Sequence, residues 1–386
     1  MSSLNRNLTD EQKLLRDMVR KFAEEEIRPK AKELDDKEEF SYDITSKMAE
    51  IGLLGAFLPS KYKGSELDYV SYIIAVEELA RVDSSQAATV AAHNSLGTGP
   101  LMYYGNDDQK NRFLPKLAEG HLWGFGLTEP EAGSDAGNTQ TRAYQDDDDW
   151  IINGAKIFIT NASTDITLGS TVLAVTGQRP DGRKEYTCFI VENGTPGFEV
   201  KPMKDKMLWR ASNTSELYLT DVRVPKENIL GKQGDGFKQM LETLDKGRLS
   251  IAAMGLGLAQ GAMDLALKYA KERKTFGRPI SSYQANSFKL ADIAMGLELA
   301  RTYLYDVCRM ADRGEKITNE GAVAKLYCSE LSHTAANHCV QIHGGYGLMK
   351  DYHAERYYRD QKILEIGEGT SEIQRLVISR MLGCYD

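Results

Sequence analysis

The sequence has no cysteine pairing to read. Cys188, Cys308, Cys328, Cys339 and Cys384 are odd in number and scattered, with no C-x-x-C spacing, which argues for free thiols in a reducing compartment. Histidine is sparse too, at six in 386 residues. His333 and His338 stand five apart, hence on different faces of a helix, and no H-E-x-x-H pattern accompanies them, so no metal site is expected. No long basic run offsets the formal charge of −8, which argues against a nucleic-acid binder. The stretch "MSSLNRNLTDEQKLL" lacks the apolar core of a signal peptide, and no uninterrupted apolar span is expected to cross a membrane. A cytoplasmic or mature organelle-matrix protein is the expectation. No internal repeat or low-complexity tract is visible.

Two enzyme signatures are also missing. "GLGLAQG", Gly255 to Gly261, has the spacing G-x-G-x-x-x-G and lies inside a helical pattern with no preceding strand. A dinucleotide fingerprint needs strand, turn and helix in order, so these small residues read as a close helix-packing face. No G-x-S-x-G elbow surrounds Ser134, which removes a serine hydrolase of that type.

What is present is ordinary globular material, 41% hydrophobic and 27% charged, with length for two or three domains. Residues 1–120 read as a helical domain. Thr9 and Gln12 have capping-box spacing, Leu14, Leu15, Met18, Val19, Phe22 and Ile27 follow at helical intervals, and Pro29 kinks or ends that helix. "YDITSKMAEIGLLGAF" and "LDYVSYIIAVEELARV" are further helices. Residues 121–231 change to short β-branched and aromatic runs with turn signals at Asn153-Gly154, Asp181-Gly182 and Asn193-Gly194, predicting a small middle β domain of hairpins, with "QDDDD" a solvated loop. Residues 232–386 return to long helical periodicity and predict a C-terminal bundle of four long antiparallel helices. The fold class is therefore α+β.

Chemistry is suggested at three places. In "KILEIGEGTSEIQRLVISR", Glu368 sits between Gly367 and Gly369, ahead of a helix for which Ser371 and Gln374 have capping-box spacing. Unpaired N–H groups at that helix start would favour developing negative charge beside the carboxylate; a plain loop glutamate accounts for the stretch equally well. "GFGLTEPEAGSDAGNTQTRA" offers hydroxyls and exposed N–H groups on turn-prone backbone. "KIFITN" puts Phe158 and Thr160 on one strand face, a pairing that suits a flat heteroaromatic ring and suits half-buried strand packing as well.

Together "LTEPEAGSDAG", "INGAKIFITN", "ERKTFGRPI", "QIHGGYG" and "EIGEGTSEIQR" occur in the order and spacing of the acyl-CoA dehydrogenase family, and the resemblance runs from about Leu8 to Leu382. It implies FAD as cofactor and removal of two hydrogens from an acyl-CoA thioester, with Glu368 taking the α proton as the flavin accepts the β hydride. It implies that the Glu368 N–H, with a flavin hydroxyl, receives the thioester oxygen. Some relatives carry the base at the position of Gly247; here that residue is glycine. Arg248, supported by Asp245, is implied near bound CoA, and Gly367 and Gly369 border the acyl chain. Phe125, Thr128, Phe158 and Thr160 are implied at the flavin ring, Ser134 near the pyrophosphate, and Thr370 and Glu372 beside them. Phe158 departs from the tryptophan common in relatives. Arg273, Phe276, Gln284, Gln341 and Gly345 are implied to reach the FAD of a neighbouring subunit, hence a dimer at least and most often a homotetramer.

The resemblance further implies electron-transferring flavoprotein as acceptor. An acyl-CoA oxidase is expected to be longer; a reductase running in reverse, or a non-catalytic flavoprotein scaffold, are the other readings. Many straight-chain relatives have tyrosine where Gly367 stands. The space so left beside the reacting carbons predicts a short-chain acyl group, branched or cyclic ones included, unless Tyr346 or Phe158 swings in to fill it.

Overall fold

The computed structural model describes residues 8–385, so the first seven residues of the polar N-terminal stretch lie outside the described residues. The N-terminal part runs through α1 (Asp10–Phe22), α2 (Arg28–Lys37), α3 (Tyr42–Glu50), α4 (Tyr69–Ala80), α5 (Ser84–Ala92), α6 (Gly99–Tyr104) and α7 (Asp107–Ala118). The capping box at Thr9 and Gln12 forms as expected, with the Gln12 N–H donating to Thr9 Oγ1 at 3.2 Å and the Thr9 N–H to Gln12 Oε1 at 3.1 Å. Pro29 acts differently from expectation. α1 gives way at Phe22 to a π-helical turn, Ala23–Ile27, and Pro29 sits in the first turn of α2, where its missing N–H is not needed.

The middle segment forms β1 (Leu122–Gly126), β2 (Arg142–Asp146), β3 (Asp149–Thr160), β4 (Thr167–Gln178), β5 (Lys184–Glu192), β6 (Phe198–Pro202), β7 (Thr214–Pro225) and β8 (Ile229–Leu230). Their order is β6-β7-β3-β2-β4-β5-β8, with β1 beside β4. The sheet is not built of hairpins alone: β1 and β2 each pair β4 in parallel. "QDDDD" is a hairpin connection, where Asp146 pairs Asp149 around Asp147 at φ 54°. Asn153-Gly154 is no turn. It lies within β3 at a register shift against β7, where Gly154 takes φ 154° and a side chain would meet Thr141. One face of the sheet encloses Ile152, Val172, Phe189, Leu217 and Val222; the other packs Trp123, Leu173 and Ile190 against Phe113 and Leu117 of α7 and Met240.

The C-terminal part contains α8 (Gly236–Glu272), α9 (Gln284–Asp312), α10 (Thr318–His343), α11 (Ala354–Asp360) and α12 (Ser371–Met381). Three helices are long, but the fourth bundle member, α12, has only 11 residues. The polypeptide leading to it is spent on α11 and short 3₁₀ turns. α8 corrects a second expectation, because it is long and apolar enough to cross a membrane; 83% of its apolar stretch is buried in the protein, which makes it a core helix. The N- and C-terminal helices share one core, in which Val19, Ile73 and Leu79 meet Leu249, Met254, Leu258, Leu304 and Cys328.

The "GLGLAQG" glycines explain how α8 lies so close to its neighbours. A Cβ on Gly255 would stand 2.7 Å from the Cys328 carbonyl oxygen of α10, and Cβ atoms on Gly257 and Gly261 would collide with the Glu77 and Arg81 carbonyl oxygens at the end of α4. The packing-face reading of that motif holds.

Candidate active site

Glu368 lies on the short link between the 3₁₀ turn Gln361–Glu365 and α12. It adopts φ 52° and Gly369 φ 94°, two consecutive left-handed residues. For glutamate that conformation costs on the order of 1–3 kcal/mol and persists only where neighbours hold it. They do: Lys325 Nζ on α10 donates to the Gly369 carbonyl at 2.8 Å, and Gln374 Nε2 donates to the same oxygen at 2.9 Å and to the Glu368 carbonyl at 3.4 Å. Gln374 is thus turned inward and forms no capping box with Ser371. The N-cap is Thr370, one residue earlier, whose hydroxyl accepts from the Ile373 N–H at 3.2 Å, while Ser371 Oγ is buried without a partner.

The Glu368 carboxylate points inward, and Oε2 is sealed from solvent with no hydrogen-bond partner. Burial raises its pKa to about 7, with Lys325 and Arg248 pulling the other way. Its back wall is Gly247 of α8, where any Cβ would collide with Oε2. At the next residue, Arg248 Nη1 donates to Asp245 Oδ1 at 2.7 Å and to the Thr318 carbonyl at 3.4 Å, and the Thr318 hydroxyl holds the other Asp245 oxygen at 2.7 Å. Glu368, Gly247, Arg248 and Asp245 are therefore brought together, as are Gly367, Gly369 and Thr370 on the loop; Glu372 is exposed on the first turn of α12.

In the sheet, Phe125 is buried on β1 and Thr128 is half-buried on the loop that follows. That loop is pinned to β3 by the Ile157 N–H donating to the Thr128 carbonyl at 2.9 Å. Lys156, wholly buried, donates to the Leu127 carbonyl at 3.2 Å and to Glu129 Oε1 at 2.7 Å. Glu129 in turn accepts from the Gln140 N–H at 2.6 Å and the Thr141 N–H at 3.1 Å. Burial lowers the Lys156 pKa to about 8 against the pull of Glu129.

Regular alternation does not place Phe158. β3 shifts register against β7 between Lys156 and Ile159, and Phe158 takes φ 62° with 61% of its surface exposed. It flanks buried Ile159 on one side and half-buried Thr160 stands on the other; the bulge re-aims the ring. Ser134 is exposed on the same loop as Thr128, next to Gly133, around which a side chain would find open space.

The remaining predicted residues gather elsewhere on the chain. Arg273 ends α8, and Phe276 is 97% exposed at φ 48° between two-residue strands Lys274–Thr275 and Arg278–Pro279. Gln284 begins α9, Gln341 is exposed on α10, and Gly345 follows that helix in open space. Arg273, Gly345, Tyr269, His343, Ile280 and Tyr346 border an open depression of about 640 Å³ that Glu368 does not line. The Arg273 guanidinium lies 5.8 Å from the Tyr346 ring centre. Tyr346 packs on Tyr352 at 5.0 Å, and the nearest atoms to a Cβ at Gly367 would belong to Ile363.

These two surfaces suit a flavin dinucleotide. One offers an exposed aromatic ring, hydroxyls and open glycine backbone, and the other a cation beside aromatic rings and bare glycines. Several residues that hold the Glu368 loop or the sheet surface went unread in the sequence: Lys325 and Gln374 as backbone clamps at Gly369, and the Glu129–Lys156 pair behind the Thr128 loop. Lys325 did leave a signal. It shares its helix face with Gly321, Cys328 and Ser332, all buried, and a lysine on such a face requires a reason.

Comparison with known proteins agrees. Family models of the acyl-CoA dehydrogenase N-terminal, middle and C-terminal domains match residues 9–121, 124–222 and 234–383. The chain is 50% identical over 380 residues to "Probable acyl-CoA dehydrogenase YngJ" of Bacillus subtilis, covering 98% of this chain and 100% of the relative. It is similar in structure to butyryl-CoA dehydrogenase of Megasphaera elsdenii, with TM-score 0.94 and 40% identity over 98% of this chain and 99% of the other. A chain from the structural work on the electron-transferring flavoprotein of Acidaminococcus fermentans and flavin-based electron bifurcation matches with TM-score 0.94 and 43% identity, over 98% of this chain and 99% of that one. With all three domains matched and the relatives covered end to end, this chain belongs to the acyl-CoA dehydrogenase family, FAD-dependent oxidoreductases acting on CH–CH groups.

Proposed function

We propose that this enzyme converts a short-chain acyl-CoA thioester, branched or cyclic ones included, to the enoyl-CoA, with Glu368 as the base and electron-transferring flavoprotein as acceptor, in the cytoplasm or an organelle matrix. The observation that carries the reading is the sealed Glu368 Oε2 without a partner, its pKa raised to about 7 by burial. Such a carboxylate takes a proton near neutral pH and has its lone pairs free to do so. Bound FAD supplies the hydride acceptor. The chain's own part is to orient and to polarise. The Glu368 N–H faces the thioester oxygen as negative charge grows there, Arg248 with Asp245 lies toward the CoA, and Gly367 and Gly369 leave the acyl chain room.

Phe125, Thr128, Phe158 and Thr160 would hold the ring system, with Ser134, Thr370 and Glu372 near its polar tail. Butyryl-CoA dehydrogenase at 40% identity and the flavoprotein-associated chain at 43% support the short acyl group and the acceptor. The reductive direction is not favoured by these relatives. A panel of CoA thioesters assayed with a dye acceptor tests the reading; no bleaching by any short acyl-CoA would overturn it.

Arg273, Phe276, Gln284, Gln341 and Gly345 are assigned to the FAD of a second subunit; Arg273 and Gly345 border a depression that Glu368 does not line, and Phe276 and Gln341 are exposed. An unburied row on α9, Phe288, Met295, Leu299 and Tyr303, supports assembly into a homotetramer or at least a dimer. Arg273→Ala is expected to weaken FAD binding about tenfold or more, since a charged hydrogen bond to phosphate is worth roughly 1.5–3 kcal/mol. The ratio of flavin to protein absorbance after gel filtration reads this directly. A fully loaded monomer would count against the shared site.

Gly367 carries the substrate prediction. A Cβ there meets Ile363 atoms at no less than 3.4 Å, and the backbone is not left-handed at that residue, so a larger side chain is tolerated locally. Gly367→Tyr is expected to lower kcat/KM for branched or cyclic acyl-CoAs at least about tenfold relative to butyryl-CoA, the equivalent of two excluded methylenes. A wild type that prefers octanoyl or longer chains would remove this reading of Gly367.

A further inference from the structure

We propose that Lys325 is a positioning residue for the Glu368 carboxylate, acting chiefly as a buried countercharge one carbonyl away from it. The inference rests on Glu368 being the base, and its test is arranged to separate the two.

Lys325 is completely buried, at 0% exposure, on a helix face of small and apolar residues. Among the described residues no carboxylate oxygen lies within ion-pair distance of its Nζ; its hydrogen bond goes to the neutral Gly369 carbonyl at 2.8 Å. A buried ammonium without a touching carboxylate is costly to a fold. Anchoring the loop does not by itself require it, since Gln374 Nε2 already donates to the same oxygen at 2.9 Å. What distinguishes Lys325 from Gln374 is its charge, and the carboxylate it faces through that peptide is Glu368, whose Oε2 is also buried and has no hydrogen-bond partner.

The arrangement answers a requirement of the chemistry. A base in direct contact with a cation is held ionised but has its lone pair occupied and its basicity reduced. A base alone in an apolar pocket stays protonated. A cation set back by one peptide unit stabilises the carboxylate while leaving Oε2 open toward the substrate. The other charged or titratable groups around this pair are Arg248, compensated by Asp245 on α8, Tyr72 on α4, Glu365 before the loop and Glu372 on α12. Burial pulls Lys325 down to about 8, with Arg248 acting in the same direction and Glu368 against it.

Lys325→Gln keeps a donor for the Gly369 carbonyl and removes the charge; Lys325→Met removes both. With the FAD-loaded enzyme and butyryl-CoA, the acid limb of the kcat/KM profile is expected to move to higher pH by at least about half a unit in both variants, as loss of a nearby opposite charge requires. The alkaline plateau of the Gln variant should stay within about threefold of wild type, while that of the Met variant falls further. If Lys325→Met does not fold, the Gln variant decides alone. An acid limb in Lys325→Gln that overlays wild type overturns the proposal. Glu368→Gln, measured alongside, separates the two ideas: if it retains turnover, the base is elsewhere, and if it is inactive while Lys325→Gln titrates like wild type, only the role of Lys325 fails.

Discussion

Glu368→Gln is expected to abolish turnover while leaving CoA-thioester binding intact. Glutamine keeps the side-chain shape and the backbone N–H, but it cannot accept a proton, and loss of a positioned base costs at least about 10²–10⁴ in rate. Stopped-flow bleaching of the flavin by butyryl-CoA reads the chemical step, and titration of the thioester's effect on the flavin spectrum reads binding. Bleaching at wild-type speed would remove Glu368 from its role.

The same substitution has a stability consequence of opposite sign. The folded protein holds the Glu368 proton more tightly than the unfolded chain, with the pKa raised from 4.5 to about 7. The folded state therefore binds the extra proton between those values, and stability is lost as pH rises through that window. Glu368→Gln should remove this loss, by up to about 3 kcal/mol above pH 7. Thermal unfolding at pH 5 and pH 8 checks it: the variant should gain on wild type at the higher pH, and an equal difference at both would contradict burial of the ionised group.

Gly247→Ala should also be damaging, although it replaces no titratable group. A Cβ on Gly247 would collide with Glu368 Oε2 and stand 3.2 Å from the Glu368 Cδ, with Leu96 Cδ2 at 3.3 Å. The carboxylate must then rotate out of its pocket, and a displacement of about 1 Å of a reacting group can cost on the order of 10²-fold. The expected result is a loss of that size in kcat for every acyl-CoA, with FAD content and oligomeric state unchanged. A loss confined to large substrates would show instead that position 247 shapes the acyl pocket and not the base.

Helical periodicity and β-branched runs were enough to order the chain as helical, stranded and helical, because amphipathic faces leave a period in the sequence whichever neighbour they meet. Strand partners were less legible. β1 and β2 lie alongside β4 in parallel, which local turn signals cannot announce, and Asn153-Gly154 has the composition of a turn yet serves as a bulge within β3. The helix start before α12 shows the same limit on a smaller scale. Ser371 and Gln374 have the spacing of a capping box, but the left-handed Glu368–Gly369 backbone needs a buried donor, and Gln374 turns inward to supply it.

By itself, then, the sequence determined which stretches are helix or strand and which residues form the motif around Glu368, since both are properties of near neighbours along the chain. Only the tertiary structure decided what surrounds that carboxylate. Gly247, Lys325 and Gln374 come from three different helices, and nothing in their separate segments encodes their convergence. Burial supplies the chemistry: it is the packing of α8 and α10 against the loop that excludes water from Oε2, raises its pKa to about 7 and sets a lysine one carbonyl away. A pKa depends on the dielectric and charge of the whole neighbourhood, and that neighbourhood exists only once the chain has folded.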